Sequence, residues 1–562
     1  MAKVSLLALL AAVIACTLDN RNASGTGTLV ISTPGDPNAL LPPLVSTVQA
    51  RQVTDLVYDR LALLGDSLNT IGDRGFVPAL AKSWIWSRDS LSIAFHLHPR
   101  ARWHDGKAVT ARDVRFTFKS YRDPVAASSV APVLTGIDSI SVPDSLTAVF
   151  WFHARSPEQF YDAAAQMSIL PEHIWASIPV TAWRASNEAK HPVGSGRFRF
   201  VSWNQGTSVM IAADTSNYRG RPKLDRVVWS IAPDFNTAVA RFFGGQTDLF
   251  EAIRPENMAE VAKHPDMRVI TSSGLDYSFL QFNLRDPRNA SRPHPLFGER
   301  ELRRALTMAV DRGSIVRSVY DSLALPAVGP ALRAFPTTDP NMPQIPFDSV
   351  AAKRALDSLG WRDSGGTGVR TRGGRQLAFT IVVPSSSKAR TRMAVLIQEQ
   401  LRQVGAKVEI EQVPIAAFVD RSDQRTFDAL LAGLHSDPSP SAARGDWTTA
   451  GTESGNNRGS YSNPAFDAAV DSALAAYDMP ARRALFSRAY RIIIDDAPAI
   501  WLAEPKAALG VHRRIRITGL RADAWWQRLA DWWIPADERI QRDLLTAAPA
   551  IARPADSSRK TP

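Results

Sequence analysis

The stretch Arg392 to Glu411 restricts the fold of this chain most. From Arg392 to Val404, the residues Met393, Leu396, Ile397, Leu401 and Val404 fall on one face at helical spacing. Gly405 then stops the helix, and Lys407-Val408-Glu409-Ile410-Glu411 alternates with the period of a strand. Helix, glycine and strand in that order are half of a βαβ unit, so a parallel sheet with crossover helices is expected. Similar signals recur elsewhere. Leu29-Val30-Ile31 reads as a short buried strand closed by Pro34-Gly35, and Leu91 to His98 as a half-buried strand with its histidines on the polar face. Glu299 to Tyr320 reads as one helix, with Leu302, Ala305, Leu306, Ala309 and Val310 at helical spacing. Asp348 to Leu359 is a helix with Asp348 as N-cap and Gly360 as its stop. Asn463-Pro464 and Met479-Pro480 each begin a helix with an early proline, the second running to about Asp495, and Ala499 to Leu502 is a buried strand. The class is mixed α/β. With 562 residues, the chain is too long for one core, so two or three lobes are expected.

Composition excludes several function classes. The net charge of +11 is spread over scattered arginines rather than gathered into a stripe, so no nucleic-acid partner is expected. The single cysteine, Cys16, excludes an intrachain disulfide and a cysteine-rich zinc site. Its position is informative. Met1-Ala2-Lys3 carries one positive charge, Val4 to Ile14 is almost wholly apolar, and the run ends in Val13-Ile14-Ala15-Cys16. The apolar segment is too short to span a bilayer and reads as a signal peptide, 1–15. Its end resembles a bacterial lipobox, which implies cleavage before Cys16 and lipidation of the thiol. The polar residues 16–28 then read as a tether and 546–562 as a disordered tail. The expected localisation is extracytoplasmic, on the periplasmic side or cell surface, with membrane contact only through a lipid anchor.

Two sequence features invite a catalytic reading and resist it. His104-Asp105-Gly106 offers a His–Asp pair, but Asp105-Gly106 is also a tight-turn dipeptide, and Thr110 with Asp113 three positions on is a capping-box signature. Gly194-Ser195-Gly196 lacks the nucleophile-elbow pattern and reads as a flexible entry to a strand at Phe198 to Trp203. No catalytic residue, cofactor or metal site is assigned. No Walker A run is present, so any ATPase must be a separate chain.

Longer motifs carry a family resemblance. Pro78-Ala79-Leu80-Ala81-Lys82-Ser83-Trp84, followed by Pro99 to Phe116 with Trp103-His104-Asp105-Gly106 and Thr110-Ala111-Arg112-Asp113-Val114, closely resembles the signature of the bacterial extracellular solute-binding proteins of family 5. His98 and Trp103 stand where that signature has arginine and phenylalanine. Pro192 to Phe198, Asn217 to Asp225, Gly245-Gln246-Thr247-Asp248, Phe279 to Asn283, Arg303 to Arg312, Tyr461-Ser462-Asn463-Pro464 and Asp496-Ala497-Pro498 resemble further family segments, in family order, from about Leu29 to Pro535.

The resemblance implies a two-lobed, Venus-flytrap fold with discontinuous domains and an additional lobe. The expected division is lobe I from 29–60, 190–275 and 490–545, extra lobe II from 61–189 and lobe III from 276–489. The block at 78–118 should lie in lobe II, away from the cleft. The implied function is a monomeric binding protein that captures peptides and delivers them to the permease of an ABC importer, closing on its ligand by a hinge motion. Capture of an oligosaccharide or a nickel or other metal chelate is the alternative, and a secreted hydrolase a second one.

By the same resemblance, Gly433-Leu434-His435-Ser436-Asp437-Pro438 matches the ligand-binding segment, and Asp437 is the anchor for a ligand α-amino group. Leu434 stands where the family has tryptophan. His435 has no second histidine or cysteine nearby and reads as structural rather than as a nickel ligand. Tyr277, Trp447 and Tyr461 are candidate cleft walls, because aromatics line most ligand sites.

Overall fold

The computed structural model describes residues 26–543. The signal peptide, Cys16, most of the tether and the C-terminal tail therefore lie outside the described residues.

Three sheets organise the chain. The first has seven strands, in spatial order Met267–Ser272, Ala507–His512, Leu249–Phe250, Thr28–Thr33, Arg226–Ile231, Ser208–Ala213 and Phe198–Asn204. Thr28–Thr33 lies centrally, parallel to both neighbours, with Leu29 and Ile31 fully buried. The second sheet has six strands, in order Ala324–Pro326, Ala499–Pro505, Asp276–Phe282, Ala429–His435, Ala378–Pro384 and Lys407–Val413. The half unit read from Arg392 to Glu411 is completed here. Ala378–Pro384 pairs in parallel with Lys407–Val413, and the helix Lys388–Arg402 connects them. Met393, Ile397 and Leu401 face the core of this lobe, as their spacing requires.

The third sheet is antiparallel, in order Ala81–Trp86, Ser92–Leu97, Thr147–Phe152 and Ile137–Asp144. The helix Ala111–Arg122 packs on it and begins with the expected capping box, the Asp113 carboxylate accepting from the Thr110 amide at 2.7 Å. The signature block at 78–118 belongs to this sheet and helix.

The chain passes twice between the first and second sheets, at Ser273–Leu275 and at Lys506. The two crossings touch, since a Cβ on Gly274 would stand 2.0 Å from the Pro505 carbonyl oxygen. Sheet membership places the return crossing at Lys506 rather than near 490. Ala499–Pro505 is flanked on both sides in the second sheet, and six of its seven residues are buried.

Two further readings are revised. Glu299 to Tyr320 is two helices, Arg300–Met308 and Arg312–Tyr320. Asp311 breaks the run by capping the second helix, its carboxylate accepting from the Ser314 amide at 3.0 Å. The apolar spacing continues through the break and so conceals it. Gly194 and Gly196 are not flexible. Added Cβ atoms would lie 1.8 Å from the Val57 carbonyl oxygen and 2.4 Å from that of Leu56, so glycine here permits close backbone approach. The caps at Asp348 and Asn463 form as read, and Asp478 caps the helix that begins at Met479.

His104 and Asp105 are not paired with each other. The His104 ring lies 2.9 Å from the Gly196 carbonyl oxygen and accepts from the Gly194 amide at 3.2 Å, while Asp105 meets His173 at 2.8 Å. The histidine fastens lobe II to the Gly194–Gly196 loop. Gly106, at φ +93°, turns the chain immediately after them.

Candidate peptide-binding cleft

The strand Ala429–His435 leaves the core of the second sheet gradually. Ala429, Leu430 and Leu431 are buried, Ala432 to Leu434 half-buried, and His435 exposed. On one side it is fully paired with Asp276–Phe282, with Ser278 opposite Gly433 and Asp276 opposite His435. On the other side, pairing to Ala378–Pro384 is limited to Ala429 and Leu430. The neighbouring strand ends at Pro384 and its chain turns away into the helix Lys388–Arg402. Among the described residues, Ala432 to His435 therefore carry an open strand edge, whose outward-facing amides and carbonyls are available to an incoming extended chain.

Charged groups stand beside this edge and just beyond its end. Asp437, just beyond the strand, is exposed and has no hydrogen-bond or ion-pair partner among the described residues. Arg390, two residues into the helix Lys388–Arg402, is half-buried beside Gly433, where an added Cβ would lie 2.8 Å from its Nη2. It too has no ion pair among the described residues. Burial draws the Arg390 guanidinium below its usual range, against the pull of Tyr320 and Asp276. An unpaired, partly desolvated cation is costly to keep. Gly433 gives this side chain the room it needs.

The other lobes face the same place. His435 Nδ1 lies 3.1 Å from Asp276 Oδ1, and this hydrogen bond raises the imidazole above its ordinary value. Asp437 adds to the rise and Arg51, in the lobe I helix Val48–Val57, opposes it. Burial raises the Tyr161 phenol of lobe II, and Asp437 raises it further. Asp437 thus lies where groups from all three lobes converge.

The expected aromatic walls are elsewhere. Tyr277, Trp447 and Tyr461 are 2%, 1% and 3% exposed and belong to the hydrophobic core. Tyr277 Oη accepts from Trp447 Nε1 at 2.9 Å, Trp447 packs edge-on against Phe279, and the Tyr461 hydroxyl donates to Asp496 at 2.7 Å. The three are corrected to core residues. The strand Asp276–Phe282 is central in its sheet and buried on both faces beyond Asp276, which turns Tyr277 inward. Sequence reading missed Arg390. The available signal was positional, since ligands in α/β sheets sit beyond the carboxyl ends of strands, and Arg390 begins the helix that follows one.

Two lobes crossed twice by the chain, with an added lobe carried on one of them, define a periplasmic-binding-protein fold. The sequence profile of the bacterial extracellular solute-binding proteins, family 5 (middle region), matches residues 75–456. The chain belongs to that family. It is 25% identical over 515 residues to the oligopeptide-binding protein AppA of Bacillus subtilis, covering 90% of this chain and 92% of AppA. The solved structure of that AppA in complex with a nonapeptide matches with TM-score 0.71 at 24% identity, over 91% of this chain and 99% of the other. The substrate-binding protein CtaP of Listeria monocytogenes matches with TM-score 0.78 at 24% identity, over 91% and 100%. NikZ of Campylobacter jejuni, in complex with Ni(L-His), matches with TM-score 0.71 at 23% identity, over 90% and 99%.

Proposed function

We propose that this chain captures extracytoplasmic peptides in the cleft and delivers them to an ABC importer permease whose ATPase is a separate chain. The open edge at Ala432 to His435, with the Asp437 carboxylate just beyond its end and the Arg390 guanidinium beside Gly433, neither of them ion-paired among the described residues, carries this reading. An extended peptide can add to that edge as a strand, its backbone bonded irrespective of sequence. Its ammonium meets Asp437 and its carboxylate meets Arg390. Gly433 and Asp437 are four residues apart, about 13 Å along a strand. That is the span of an extended chain of about four residues. The name of the relative AppA, an oligopeptide-binding protein, supports the same reading.

Protein purified from its own host and sprayed under native conditions should release co-purified peptides, centred near four residues. An oligosaccharide or a nickel chelate in their place would overturn the peptide reading. Peptides recovered cleaved after incubation would favour a hydrolase.

Membrane attachment is part of the proposal. Cys16 is read as the lipidated N-terminus of the mature chain, on the short apolar run that ends in Val13-Ile14-Ala15-Cys16. A fatty-acid analogue should label the native protein and leave Cys16→Ala unlabelled. Equal labelling of the two would remove the anchor.

A further inference from the structure

Glu251 directly follows the lobe I strand Leu249–Phe250 and is half-buried. That strand runs parallel to Thr28–Thr33, so Glu251 stands at the carboxyl ends of parallel strands, where an α/β sheet meets its ligand. Leu249 pairs with Ile31 and Phe250 with Ser32, which brings Glu251 level with Thr33 on the neighbouring strand. Both side chains fall on the face covered by the helix Val48–Val57, since Leu249 and Ile31, two residues before them, share a buried cluster with Val53 and Leu56. The Glu251 carboxylate accepts from the Gln52 side-chain amide and, at 3.1 Å, from Trp525 Nε1, in both cases through Oε2. Gln52 is held in turn by Trp229, whose Nε1 donates to its Oε1 at 2.8 Å. Both donors to Glu251 are neutral. Its Oε1 has no donor, and the carboxylate no cation, among the described residues. The Thr33 hydroxyl is fully buried and likewise has no partner. The charge of Arg51, next to Gln52 on the helix, acts on His435 and Tyr161, so this helix borders the cleft.

We infer that Glu251 selects peptides with a basic side chain, its carboxylate receiving a lysine ammonium or an arginine guanidinium of the bound ligand. The inference rests on the peptide reading above and adds a side-chain preference to it. A carboxylate drawn out of water is ordinarily paired. Here Gln52 and Trp525 hold one oxygen in place and leave the other open, which orients the group without cancelling its charge. A lysine ammonium has three donors and no acceptor. Glu251 Oε1 is one acceptor for it, and Thr33 Oγ1, level with it, is a second. An apolar side chain at the same place would cover Oε1 and leave it without a donor, so the site also discriminates against such ligands. Glu251 belongs to lobe I, whereas Asp437 and Arg390 belong to lobe III. A basic peptide is therefore bonded from both lobes and favours the closed form.

Calorimetry tests this with tetra-alanine, its derivatives carrying lysine at each position in turn, and the norleucine counterparts, which keep the apolar stem and lose the charge. At one position lysine should bind about tenfold tighter than norleucine or more, the worth of one charged hydrogen bond. In Glu251→Gln the ratio of the two affinities should fall to about one, because the amide carries no charge. Equal affinities for lysine and norleucine at every position, or a preference that survives Glu251→Gln, overturns the inference. Binding of tetra-alanine without a lysine preference sinks this inference alone. If no peptide binds the native protein, peptide capture fails and the preference with it. Should circular dichroism show that Glu251→Gln has not folded, carbodiimide coupling on the native protein decides instead. The ε-amine of the preferred lysine peptide should be joined to Glu251, as read by peptide mapping. Coupling only at other carboxylates overturns the assignment.

Discussion

Asp437→Ala is expected to weaken the binding of unblocked tetra-alanine by about 30-fold or more. Asp437 is exposed and has no hydrogen-bond or ion-pair partner among the described residues. Closure of the three lobes around it removes water, and the ligand ammonium then depends on this carboxylate. Truncating one partner of such an enclosed charge pair costs about 2–5 kcal/mol, or roughly 30- to 4000-fold. The value should fall toward the lower end, because His435, two residues away, already interacts with the charge of Asp437. N-acetyl tetra-alanine has no ammonium, and its affinity should change little in the variant. Calorimetry on both ligands separates the outcomes. Equal losses for the two, or none, would remove Asp437 from the role of amine anchor.

The opposite end of the cleft should respond to Arg390→Met with a comparable loss, about 30-fold for free tetra-alanine. C-terminally amidated tetra-alanine should be little affected. Stability supplies a second readout. Burial disfavours the charged guanidinium, and no ion pair offsets that cost among the described residues. Methionine keeps most of the apolar stem and removes the charge. The melting temperature should therefore hold or rise while affinity falls, which distinguishes a binding group from a structural one. A fall in melting temperature with equal losses for both ligands would mean that Arg390 supports the lobe instead. The anchor spacing adds a length dependence. Dialanine, spanning about 7 Å, cannot reach both charged groups without shifting along the edge. It should lose affinity to one of the two substitutions and not to both.

Much of the local structure was legible because it is decided within a few residues. Asp348 and Asn463 cap helices through bonds to amides two or three positions on, and Asp113 accepts from the Thr110 amide three positions back, so the residues that form the bond are also neighbours in the sequence. The βαβ unit at Ala378 to Val413 was legible for a related reason. Its alternating and helical apolar patterns each have one face to bury, and the sheet between them is the common solution. The family motifs extended this reading across the chain and located the Asp437 segment.

Other features depend on which part of the chain covers which. Tyr277, Trp447 and Tyr461 carry the same signature whether they wall a cleft or fill a core, and only contacts separate the two. The hydrogen-bond partner of Trp447 is Tyr277, 170 residues away. The helix break at Asp311 was hidden for a different reason, since apolar spacing reports burial but not backbone continuity.

The sequence by itself determined the α/β class and the helix caps, because short-range bonds and periodic burial are written into adjacent residues, while its motifs, by resemblance, pointed to the family and to Asp437 as the candidate amine anchor. Tertiary structure alone decided that the return crossing falls at Lys506 and that the edge at Ala432 to His435 stays open among the described residues. It also set Arg390 beside Gly433, without an ion pair among the described residues, and brought Ser439 onto Glu158. Each of these depends on where a strand distant in sequence ends, and desolvation acts on the assembled neighbourhood rather than on the order of residues.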